Sequence, residues 1–272
     1  MSFENQLPTA LDYQSTSYTG SMAEFRGPPA DLMQRQIVCI GGSETFGRFV
    51  PRPFAQTLGT AIDRPVANMG AMHAGLELIL NDAAINSAMA NADQIVLQIT
   101  GAHLMTNRFY RVHPRRNDRF LRASSALSTV YRSTDFTDFH FVRHMLSVLA
   151  EESQDRFVIV LRELQDAWVA RMRSLIQRVD VPVHLLWLAL APPAEDKVDL
   201  VNGTDPLFIT QDMLNEVAQV AATLTISTAS DTENAVPTDG MVFTPREAAA
   251  AKAVPGPAQH DRAADMLSEA IG

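Results

Sequence analysis

The sequence predicts an α/β fold: a three-layer, doubly wound, mostly parallel sheet of five or six strands. Three observations carry this. Short, near-continuous apolar runs recur along the chain, as strands covered on both faces do. Stretches with apolar residues at helical spacing alternate with them, the pattern of βαβ units. The first run ends in Gly41-Gly42-Ser43, a tight turn at the carboxyl edge where open α/β sheets bind ligands.

Taken in order, residues 1–31 are polar, with Arg26-Gly27-Pro28-Pro29 near their end, and read as a loosely packed N-terminal arm to an α/β domain over 32–272. Residues 37–40 (Ile-Val-Cys-Ile) form the first strand. Residues 64–70 form a second, placed near an edge because Pro65 removes a ladder donor. Further strands fall at 94–100, 157–161, 183–190 and 223–227. Helices fall at 76–89, 141–149, 163–179, 208–222, 245–254 and 258–271. In the third of these, Leu164, Trp168, Met172, Leu175 and Ile176 share one side.

Residues 108–140 break the rhythm with a long polar insertion after the third strand, where long loops shape sites or interfaces. Seven arginines (Arg108, Arg111, Arg115, Arg116, Arg119, Arg122 and Arg132) fall there within 25 residues, against one acid, Asp118. Lysine occurs only at Lys197 and Lys252. Arginine's planar fork suits bidentate contact with carboxylate or phosphate, and the interleaved Phe109, Tyr110, Phe120 and Tyr131 suit stacking. Arg108, Arg111 and Arg115 are the candidate anion binders. A subunit interface, as in a homodimer, is equally compatible with arginine and aromatic anchors.

The composition excludes several classes. The net charge of −9 argues against a whole-surface nucleic-acid binder. No apolar run approaches the ~20 residues of a membrane span, and the polar start has no signal-peptide layout, which implies a cytoplasmic location. The single cysteine, Cys39, lies in the first strand, excluding an intramolecular disulfide or multi-cysteine metal site and reading as an inert buried thiol. There is no phosphate loop and no dinucleotide fingerprint, so no cofactor is expected. His140 and His144 have i, i+4 spacing but lack the metalloprotease glutamate, so no metal site is expected either.

The strand ends converge on acyl-transfer chemistry. The first offers Gly42 and Ser43, the second Gly70, and the third Gly101-Ala102-His103 and then Asn107; near the end of the chain stands His260. A hydroxyl at a helix start, backbone N–H groups at tight turns, an amide and an imidazole are the parts of such a site. Ser43 is the candidate nucleophile and His260 the candidate base. Ser43 N–H, Gly70 N–H and Asn107 are the candidate oxyanion donors, with Gly42, His73 and His103 lining the site. Each also has a structural reading: Ser43 as a helix cap, His260 as a surface or cap residue, His73 and His103 as hydrogen-bonded structural histidines.

These blocks resemble the SGNH (GDSL-type) hydrolase and acyltransferase superfamily, whose fold is a flavodoxin-like parallel sheet. Gly41-Gly42-Ser43 matches its Gly-Asp-Ser block, Gly70 its second-block glycine and His260 its last-block histidine. The departures are Gly42 for aspartate, His103 where the third block has asparagine, and Pro257 where an aspartate would orient the histidine. That leaves a Ser43–His260 pair whose third member is missing or comes from elsewhere, with Asp239 and Asp261 nearby in sequence. The stretch from Gly41 to Phe49 through His113-Pro114-Arg115-Arg116-Asn117-Asp118-Arg119-Phe120 resembles an uncharacterised bacterial domain-of-unknown-function family. The superfamily resemblance implies a serine esterase or O-acyltransferase; with the arginines, the substrate would be an anionic small molecule, lipid or carbohydrate ester. The alternative is an inactive scaffold of the same fold that binds an anionic ligand or self-associates.

Overall fold

The computed structural model describes residues 10–195, 203 and 205–272; Lys197 lies outside them. The elements follow in chain order: β1 Ile37–Gly41, α1 Ser43–Phe46, α2 Phe54–Ala61, β2 Val66–Gly70, α3 Leu76–Asn81, α4 Ala83–Asn91 and β3 Gln94–Gln98. The arginine-rich insertion contributes β4 Tyr110–Val112, β5 Phe120–Ala123 and α5 Ser125–Val130. After it come α6 Val142–Glu152, α7 Gln154–Gln177, β6 Val183–Ala189, α8 Gln211–Ala218, β7 Thr223–Thr228, α9 Asp231–Ala235, α10 Ala248–Ala251 and α11 Pro257–Ile271.

Five strands form one parallel sheet in the order β2-β1-β3-β6-β7, with Ile37 level with both Val66 and Gln94. This is the doubly wound order in which the chain leaves β1 toward one edge and returns on its other side at β3, so ligands fit the crevice at the carboxyl ends of those two strands. All residues of β1 and β6 are buried. One face packs Ile37, Cys39, Val96, Leu186 and Leu188 against α2 and α11; on the other, α3, α4, α6, α7 and α8 cover Val38, Ile40, Leu97 and Leu185. Among the described residues no helix is long and apolar enough to cross a membrane.

Three expectations are corrected. Residues 157–161 are not a strand but the first turns of α7. Val158 and Ile159 point outward, while Phe157, Val160, Leu164, Trp168, Met172 and Leu175 form one continuous buried stripe. A five-residue apolar run reads either way, and the helical period that decides it continues beyond the run. The predicted helix over 76–89 is two, because the Asp82 carboxylate accepts from the N–H groups of Ala84 and Ile85 and starts a new one. The arm is not loose over its described part: Phe25 is fully buried, and the buried guanidinium of Arg26 donates to the carbonyls of Phe46, Gly47, Val50 and Pro51 at 2.8–3.3 Å. Arg26 thereby satisfies acceptors that α1 leaves open at its end.

The insertion is a built element. Tyr110, Val112 and Phe120 face inward, while Arg111 and Arg122, paired across the two strands, face solvent. The fully buried Asn117 moors it: its Oδ1 accepts from Gly75 N (2.6 Å) and Leu78 N (3.1 Å) at the start of α3, and its Nδ2 donates to His113 O and Pro114 O.

Candidate active site

β1 delivers Gly41-Gly42-Ser43 to the carboxyl edge, and the turn there is organised from the neighbouring strand by Gln98. Its Oε1 accepts from Gly42 N (2.9 Å), Thr45 N (3.2 Å) and Thr45 Oγ1 (2.8 Å), and its Nε2 donates to Glu44 Oε2 (2.8 Å). Glycine is required at 41, since a Cβ there would stand 2.2 Å from Thr45 Oγ1 and 2.3 Å from Gln98 Oε1. Nothing in the sequence marked Gln98; the only signal is a glutamine at the end of an apolar strand, pointing into a buried layer.

Ser43 opens onto a cavity of about 330 Å³ whose polar lining includes Glu44, His73, Thr100, His103 and Asp118, with Ile99, Leu188 and Leu190 as apolar wall. The loop after β2 brings His73 N–H to Ser43 Oγ at 3.1 Å. To do so His73 adopts φ +60°, a conformation uncommon outside glycine. Its Nδ1 stands 3.6 Å from Asp118 Oδ2, and Arg116 approaches the same oxygen at 3.5 Å. Burial lowers the His73 pKa, with Asp118 opposing and Arg116, Arg48 and Arg119 assisting. Burial raises the Glu44 carboxyl above its ordinary value, against the hydrogen bond from Gln98.

His103 is 5% exposed, and burial pushes its pKa down to about 4, so the imidazole is neutral. Three buried polar atoms of cavity-lining residues, Thr100 Oγ1, His103 Nδ1 and Asp118 Oδ1, have no hydrogen-bond partner among the described residues. Buried polar groups are ordinarily satisfied, so such a cluster calls for a guest.

Other predicted site residues lie elsewhere. His260 is 1% exposed in the first turn of α11, where its Nδ1 accepts from Phe54 N (3.1 Å) and its ring stacks on Phe54. Pro257 opens that helix, which places His260 against α2 instead of over Ser43; Ala253 and Pro255 line the cavity instead. Burial pushes the His260 pKa down to about 3, with Arg26 adding to the effect. The Ser43–His260 pair is therefore not formed. Nor do the nearby acids supply a third member: Asp261 meets Thr57 and Arg52, and Asp239 is exposed.

Gly70 N–H is spent on Asn68 Oδ1 (2.8 Å), and a Cβ at 70 would stand 2.1 Å from Phe46 N, so this glycine lets α1 pack on β2 and gives no oxyanion donor. Asn107 closes a turn, accepting from Phe109 N and Tyr110 N and donating to Met105 O, and stands apart from the cavity. Gly42 shapes the turn without lining the cavity.

Arg108 and Arg111 are exposed and line neither this cavity nor the next. Arg115 does line a second cavity of about 620 Å³, together with Arg116, Arg119, His113 and His140, and the two cavities share His73. Among the described residues no three His, Cys, Asp or Glu side chains are grouped to hold a metal ion. Burial holds the Cys39 thiol well above its ordinary pKa, as an inert core residue.

Among solved structures, a lipase from a goat rumen metagenome is similar over 88% of this chain and 97% of its own, at 13% identity and a TM-score of 0.45. A gut microbial diltiazem-metabolizing enzyme is similar over 89% of this chain and 47% of its own, at 12% identity and a TM-score of 0.36. No curated protein sequence matches. The model of one family, DUF6473, a domain of unknown function, matches residues 1–272, and the chain belongs to that family.

Proposed function

We propose that this chain is an SGNH-like serine esterase or O-acyltransferase acting on an ester that carries an anionic group. The observation that carries the reading is the setting of Ser43: a hydroxyl on a strand-end turn, inside a cavity where Thr100 Oγ1 and His103 Nδ1 stand buried with no partner among the described residues. In the reaction Ser43 Oγ bonds to the acyl carbon while its proton passes to a base, and the carbonyl oxygen takes up charge beside Ser43 N–H. The leaving oxygen departs with a proton, and water or an acceptor hydroxyl then releases the acyl group. Arg115, Arg116 and Arg119 hold the anionic end in the adjoining cavity by bidentate contacts.

Ser43→Ala is expected to abolish turnover of activated esters while leaving binding of an anionic ligand in place. A fluorophosphonate should label the folded protein stoichiometrically at Ser43. Among the described residues the C-terminal part of the chain lines the cavity with Ala253 and Pro255 and no histidine. This favours a second reading, a non-catalytic anion binder, and an unlabelled folded protein that binds anions would establish it in place of the first.

A further inference from the structure

We infer that His73, held by Asp118, is the general base for Ser43. This rests on the reading of Ser43 as nucleophile, and it moves the base from the C-terminal helix to the loop after β2. His73 N–H touches Ser43 Oγ at 3.1 Å, so residue and nucleophile meet at one point of the chain path. The same residue lines the cavity that Ser43 enters. On its far side Nδ1 faces Asp118 Oδ2 at 3.6 Å, and Asp118 is delivered by the turn between β4 and β5, next to the moored Asn117. At 3.6 Å the carboxylate acts on the ring through its charge, favouring the proton on Nδ1 and leaving Nε2 as the acceptor.

Two further features agree. The Ser43 hydroxyl accepts from a backbone donor, and its own proton has no acceptor among the described residues. His73 also holds a left-handed backbone, strain of the kind that gathers where a catalytic loop must present a group. The other ionisable groups fit less well: His260 is turned away onto Phe54, His103 Nδ1 has no hydrogen-bond partner among the described residues, and the Glu44 carboxyl is taken by Gln98. In the step itself the Ser43 proton moves to His73 Nε2 as the Oγ–carbon bond forms. The imidazolium faces the Asp118 carboxylate, and the proton then goes to the departing oxygen. The charged groups around the ring are Asp118, Arg116 and Arg119 from the insertion and Arg48 from the turn after α1, with Glu44 across the cavity.

The test is the rate of fluorophosphonate labelling at Ser43 in the full chain, followed by mass spectrometry. His73→Gly suits the left-handed backbone and removes the ring; labelling should fall about 10²–10⁴-fold. Added imidazole should restore a measurable part, which a merely structural histidine would not allow. Asp118→Asn should slow labelling and move the midpoint of its pH profile downward. An unlabelled wild type would overturn both this assignment and the reading of Ser43. A labelled wild type with His73→Gly labelled at a similar rate would overturn the base alone. Loss without imidazole rescue in a protein of native circular dichroism would do the same. Should His73→Gly not fold, His73→Asn, which also tolerates positive φ, replaces it: undiminished labelling overturns the base, and loss joined to the Asp118→Asn shift supports it.

Discussion

Gln98→Leu tests whether one amide holds the nucleophile turn. The substitution removes the acceptor of Gly42 N, Thr45 N and Thr45 Oγ1 in a region where Thr45 is fully buried. The threonine hydroxyl can rotate, but the two backbone donors cannot; each orphaned group costs about 1–3 kcal/mol. Burying leucine in place of glutamine returns about 1–2 kcal/mol. The net loss is about 3 kcal/mol, or roughly 6–12 °C in Tm for a chain of this size. Urea unfolding with an unchanged m-value is the assay, run beside Ser43 labelling, which should fall as the turn loosens. Gln98→Glu isolates the other half of the amide: it keeps the acceptor but sets a second carboxyl against Glu44. The shared proton then raises the folded-state pKa of the pair, so stability is present at low pH and is lost as pH rises through that value. A loss below about 1 kcal/mol in Gln98→Leu would refute the reasoning.

Asn117→Ala should cost about 2–4 kcal/mol, because Gly75 N and Leu78 N lose their acceptor in the buried first turn of α3. It should also speed proteolysis between β4 and β5 and slow Ser43 labelling, since Asp118 loses its anchor. Acid should weaken the fold before the carboxylates titrate. His103 and His260, pushed down to about 4 and about 3, stay neutral in the folded state while the unfolded chain binds protons below about 6.5, so stability falls as pH falls. The slope approaches about 1.4 kcal/mol per pH unit for each histidine, and Glu44, shifted upward, returns part of it. A flat stability curve between pH 6 and 5 by urea titration would contradict both burials.

Most of the sheet was legible because buried parallel strands are near-continuous apolar runs: the stretches at 37–40 and 223–227 lie in strands, and those at 94–100 and 183–190 contain β3 and β6 and overrun them by two residues and one. The run at 157–161 misled because a short apolar segment has no period of its own. Ser43 was legible as a residue type at a strand end. The bonds that hold its turn were not: Gln98 reaches Gly42 and Thr45 across 53–56 positions of sequence, and Asn117 reaches Gly75 across 42. His260 attracted attention by matching a motif, yet a proline three residues earlier had already begun a helix that carries it away. The arginines were visible as a cluster, but which of them face a cavity depends on hairpin alternation, which turns Arg111 and Arg122 to solvent and leaves Arg115, Arg116 and Arg119 at the turn.

That turn carries Asp118 between Arg116 and Arg119, so the arginines proposed to hold a charged ligand stand in the same turn as the carboxylate beside His73. On the assignment made above, whatever charge draws on Arg116 or Arg119 also bears on the carboxylate that faces the imidazole. The charge of the guest and the readiness of the hydroxyl would then be set at one place in the chain.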